Sequence, residues 1–113
     1  MSRFEALRSF ALAFPGAYPD HPWGEDETVY KTAKGKMFVV CSEDEAAILH
    51  ATVKLTPDES VAALTLPFVS VARYVGRYGW VTAHIKDDTE LEITLEWVAR
   101  SHEIVSRGGA RRR

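Results

Sequence analysis

The chain has 113 residues, 46% of them hydrophobic and 27% charged, with a formal net charge of −2. That length buries roughly two-thirds of an extended chain's surface, so one domain can hold a core without a metal or disulfide staple. The single cysteine, Cys41, excludes an internal disulfide, and no apolar run approaches the ~20 residues of a membrane span.

The N-terminal stretch "SRFEALRSFALAFPG" begins with a capping box, Ser2 and Glu5, and repeats Phe4, Leu7, Ala11 and Phe14 at helical spacing up to Pro15. Charges inside this pattern argue against a signal peptide. "PGAYPDHPWGEDE" carries three prolines and two glycines and reads as an irregular loop. "TVYKTAKGKMFVVCS" gives two strand-like runs around Gly35, a hairpin. In "AILHATVKLT", Ala51, Val53 and Leu55 alternate with His50, Thr52 and Lys54, the pattern of a strand buried on one face. A second box follows, with Thr56 as cap, Pro57 in the first turn and Glu59 closing it.

"ARYVGRYGWVTAHIK", residues 72–86, reads as two more strands turning near Gly76 to Gly79. Val81, Ala83 and Ile85 face one way, and Trp80, Thr82, His84 and Lys86 the other. The last segment is a helix from Asp88 or Thr89 to Gly108, with an apolar row of Leu91, Leu95, Val98 and Val105 widened by Trp97 and Ile104. The order predicts an α+β, two-layer α/β sandwich, α-β(3)-α-β(2)-α. Its mostly antiparallel five-stranded sheet carries helices on one face. The other face is then an open platform bearing His50, Lys54, Trp80, His84 and Lys86. Residues 1–107 form the domain and 108–113 a basic flexible tail.

Charge sign follows chain segment. The acids cluster at 20–27, 43–45, 58–59 and 87–103, with only Glu5 outside. Two segments are purely cationic: one carries Lys31, Lys34 and Lys36, the other Arg73, Arg77 and Lys86. Arginine forks and lysines bind phosphate oxygens, and exposed rings such as Tyr78 and Trp80 stack on bases, which points to a nucleic-acid surface. The alternative is that these lysines guard an edge strand against aggregation. Cys41 beside a histidine is the only nucleophile–base combination to weigh, and its apolar surroundings in "FVVCS" suit a small buried hydrophobe better. His102 reads as a satisfied histidine of the core or its boundary. No histidine or acid spacing matches a metal site, and no catalytic motif or cofactor loop occurs. The chain is therefore read as no enzyme, with neither cofactor nor metal.

"FPGAYPDHPWG" (14–24), "GKMF" (35–38), "VKL" (53–55), "GWV" (79–81) and "SHEIV" (101–105) together resemble the MmcQ/YjbR family over about residues 3–107. The resemblance implies a small bacterial domain of the same element order, a DNA-binding role through two β-hairpin wings, and no enzymatic activity. The wings would be the hairpin at Lys34–Lys36 and the turn at Gly76–Trp80, which are the two cationic segments. Family sequences carry His where this chain has Gly79, so any contact by that histidine is missing here. The expectation is a cytoplasmic, monomeric module that binds DNA weakly, mainly through phosphates, using Lys31, Lys34, Lys36, Arg73, Arg77, Tyr78, Trp80 and Lys86. A protein partner on the open sheet face or an edge strand is the second expectation. A small-molecule pocket between sheet and helices, lined by Tyr18, Trp23 and Trp97, is the third.

Overall fold

The computed structural model describes residues 1–73 and 78–108. Helix α1 (Arg3–Leu12) is followed by strands β1 (Tyr18–Asp20), β2 (Thr28–Lys31), β3 (Met37–Glu43) and β4 (Leu49–Lys54). Helix α2 (Pro57–Ala63), strands β5 (Val69–Val71) and β6 (Trp80–Ile85), and helix α3 (Asp88–Gly108) complete the order. The strands form one antiparallel sheet in the order β1-β2-β3-β4-β6-β5. This is the expected α+β sandwich with one strand more than the five read from the sequence.

The extra strand is β1, three residues inside the proline-rich loop that pair with β2. The second hairpin also begins earlier than expected: its first strand is Val69–Val71, ahead of the stretch that starts at Ala72. Both capping boxes form as read, Ser2 with Glu5 and Thr56 with Glu59.

Alternation sorts each strand into two faces. Ala51, Val53, Val81, Ala83 and Ile85 are fully buried on the helix side. A bulge disturbs β3, because Tyr30 pairs with Val39 while Lys31 pairs with Met37, leaving Phe38 as the extra residue. Both Phe38 and Val39 are thereby fully buried. Phe38 meets Phe14 and His102 edge-on, and Phe14 stacks on His102 at 4.2 Å, joining α1 and α3 to the sheet. Trp97, read as widening the apolar row of the last helix, stacks on Phe68 at 6.0 Å.

The deepest positions of α3 include two hydroxyls, Thr94 and Ser101, as well as Val98. Thr94 donates to the Glu90 carbonyl of its own helix. Ser101 donates to the Phe38 carbonyl at 2.6 Å and accepts from the Lys54 amide at 2.9 Å. A helix side chain thus links β3 and β4 beside the bulge, satisfying two buried backbone groups.

Candidate functional site

The expected cationic set does not gather as one group. Lys31 ends β2 opposite Met37, and its ammonium is already held by Asp20 at 2.7 Å. That hydrogen bond raises the Lys31 pKa and lowers that of Asp20. Lys86 follows the far end of β6, where it donates to the His84 carbonyl and lies 3.7 Å from Glu90. Trp80 does not stand open on the platform but is only 8% exposed, which corrects its reading as a stacking surface. Its alternation with Thr82 and His84 gives its face but not what covers it. Arg77 lies outside the described residues.

The remaining members share one end of the sheet. The register pairs Lys31 with Met37, Lys54 with Trp80 and Val71 with Val81, so the 32–36 turn and the β5–β6 connection leave the sheet at that end. Three strand widths, about 14 Å at ordinary spacing, separate them. Lys34 and Lys36 are exposed on the first turn, with no ion pair among the described residues. Arg73 and Tyr78 flank the second, both exposed.

Helices cover only one face of the sheet. The other holds a trough of about 740 Å³, floored by β3, β4 and β6. Trp23 and Glu27 wall it on the β2 side, and Ala72 and Arg73 on the β5 side. This concavity lies opposite the helices, whereas the ligand pocket read from the sequence was placed beneath them. Of that pocket's expected rings only Trp23 lines the trough, at 63% exposure.

Across the floor runs a chain of hydrogen bonds not foreseen from the sequence. His50 and His84 are direct partners in the β4–β6 register, and their Nδ1 atoms lie 2.8 Å apart. His50 Nε2 is 2.9 Å from Asp44 Oδ2, and His84 Nε2 is 2.8 Å from Ser70 Oγ. One pair along, Thr52 and Thr82 bring their hydroxyls to 2.8 Å. The histidine hydrogen bond and the Ile48 amide hold Asp44 below the usual carboxylate range. Burial, then the nearby His50 and Lys86, push the His84 pKa down.

The other candidate chemistry is closed off. Cys41 is buried, and burial pushes its thiol up to about 12, so no thiolate forms at neutral pH. His102 is less well satisfied than expected: its buried Nε2 has no partner, and burial lowers its pKa. Among the described residues no cluster of three or more His, Cys, Asp or Glu is placed to hold a metal. Nor is any described helix long and apolar enough to cross a membrane.

The family model YjbR matches residues 12–104. Among solved structures, the Deinococcus radiodurans protein DR2400, with a DUF419 domain, superposes with a TM-score of 0.81 at 18% identity, covering 96% of this chain and 82% of its own. A Pseudomonas syringae protein superposes with a TM-score of 0.70 at 17% identity, over 92% of this chain and 98% of its own. At these identities the likeness is one of fold. No curated protein matches the sequence.

Proposed function

The chain belongs to the YjbR family, and we propose that it binds nucleic acid weakly through backbone phosphates, using the sheet end that carries its two wings. One observation carries the reading: two connections distant in sequence leave the sheet at the same end, one presenting Lys34 and Lys36 and the other flanked by Arg73 and Tyr78. Lys31 is left as a supporting charge, already shared with Asp20, and Trp80 and Lys86 drop out of the contact surface. The acids of the 43–45 segment lie at the opposite end of the sheet, where Glu43 pairs with Leu49, and the acidic body as a whole offers DNA little attraction, so the wings would set its orientation. The module is read as a monomer of the cytoplasm, without enzymatic activity of its own.

Phosphate-directed binding of this size has a Kd on the order of 10⁻⁴–10⁻⁶ M at physiological salt, with log K falling about 0.9 per phosphate neutralised against log salt. A salt titration of duplex binding should therefore give a slope that becomes shallower by roughly 2 in Lys34→Glu/Lys36→Glu. A slope unchanged by that double variant, or affinity flat from about 50 to 200 mM salt, discards the reading.

A protein partner is the second reading, favoured by edge strand β5, where Val71 is 60% exposed. Strand addition there would be insensitive to salt and abolished by Val71→Pro, which leaves the wings intact.

A further inference from the structure

We propose that the trough on the open sheet face is a proton-coupled binding site for a small organic carboxylate with a flat apolar body, in which the His50–His84 pair takes up one proton as the ligand binds. This inference is independent of the nucleic-acid reading.

The hydrogen-bond chain has only one neutral assignment. An ionised Asp44 can only accept, so His50 must carry its hydrogen on Nε2, leaving Nδ1 bare. The 2.8 Å contact between the Nδ1 atoms then needs a hydrogen on His84 Nδ1, which leaves His84 Nε2 to accept from the Ser70 hydroxyl. A single added proton on His84 Nε2 keeps every contact, because that nitrogen then donates to Ser70 Oγ instead. A second proton cannot be accommodated, since two N–H groups would face each other across 2.8 Å. The pair is therefore built to be neutral or singly positive.

The surroundings select the anion. The Thr52–Thr82 pair places one hydroxyl hydrogen between its oxygens and leaves the other able to donate into the trough. The charged groups facing the pair are Asp44 from the β3–β4 turn, Lys86 beyond β6, and Glu27 and Arg73 on the walls. The two carboxylates offset the two cations, so the proton taken up is the net charge gained, and one imidazolium matches one carboxylate better than a dianion such as a phosphate monoester. Trp23, Met37 and Val40 supply apolar walls for a ring system. Burial and like charge hold the His84 pKa below its ordinary value, so a bound anion is what draws the proton onto the geometrically prepared pair.

The probe is 2-naphthoate, which stays ionised from pH 5.5 to 8.5 because carboxylic acids titrate near pH ~4. Calorimetry on the full chain, in two buffers of different ionisation enthalpy, reads affinity and proton uptake together. One site per chain is expected, with uptake of up to one proton at pH 7.5 and affinity rising by as much as about tenfold per unit fall in pH. His84→Gln should abolish that slope. Trp23→Ala should weaken binding roughly five- to tenfold at every pH and leave the slope intact. In the unmutated protein, the imidazole ¹⁵N shift of His84 Nε2 should move toward the protonated value when naphthoate is added at pH 7.5. Absence of saturable binding at pH 6, a flat pH dependence, a slope kept by His84→Gln, or a silent ¹⁵N shift would each overturn the proposal.

Discussion

Gly79 sits where β4 ends against the start of β6, and its backbone conformation leaves room for nothing larger. Its φ is +91°, and a Cβ there would lie 2.3 Å from the Leu55 carbonyl oxygen, while the Gly79 carbonyl accepts from the Leu55 amide. Gly79→Ala should cost at least about 2 kcal/mol, from the left-handed conformation and the collision with backbone together; chemical denaturation measures it. The residue that breaks the family's histidine pattern thus has a structural reason of its own. His102 presents the opposite case, a polar group in surroundings that penalise it. Its pKa is lowered in the fold, so the unfolded chain binds the proton more readily and stability falls as pH drops below about 6.5. His102→Phe removes the unpartnered Nε2 and keeps a ring against Phe14. Its melting temperature at pH 5.5 should exceed that of the parent by roughly 2–5 °C, with a smaller gain at pH 8. His84, also shifted down, leaves part of the acid sensitivity in place.

Helix α2 is seven residues long, too short to persist without its ends. Thr56 accepts from the Glu59 amide, Glu59 returns to the Thr56 amide, and Arg100 of α3 grips the same carboxylate at 2.9 Å. Thr56→Ala should cost about 1 kcal/mol, and more than Ser2→Ala at the exposed box of α1, by thermal melts of the two variants. These boxes were readable because a cap is written within four consecutive residues. Strand β1 was not, since Tyr18-Pro19-Asp20 has no strand pattern and owes its conformation to pairing with β2. The bulge at Phe38 was equally hidden, because "KMFVV" reads as an unbroken strand until the register with β2 is known.

Over the whole molecule, the sheet puts different properties on its faces and ends. Helices close one face, the trough opens on the other, and the 32–36 turn shares one end of the sheet with the end of β5 and the start of β6. Alternation alone placed His50 and His84 on the uncovered side, but their contact depends on β4 lying beside β6, two strands separated by a helix and another strand. Charge segregation grouped Lys86 with Arg73 by sequence alone, yet Lys86 lies at the far end of β6 because a strand carries its two termini to opposite ends. Tyr18 and Trp97 missed the cavity because an exposed face and a packed layer share the same aromatic composition.

Ser101 ties these levels together. Since its hydroxyl receives the Lys54 amide, solvent reaches that amide when α3 lifts away, even with both neighbouring strands in place. Deuterium uptake at Lys54 should therefore follow undocking of the C-terminal helix, and Ser101→Ala should speed it at least about tenfold relative to Thr52, as loss of one buried hydrogen bond predicts. Ser101 fastens the β3 and β4 backbone at the end that carries Lys34 and Lys36, so a molecule that loosens its last helix also loosens the platform on which the proposed phosphate contacts depend.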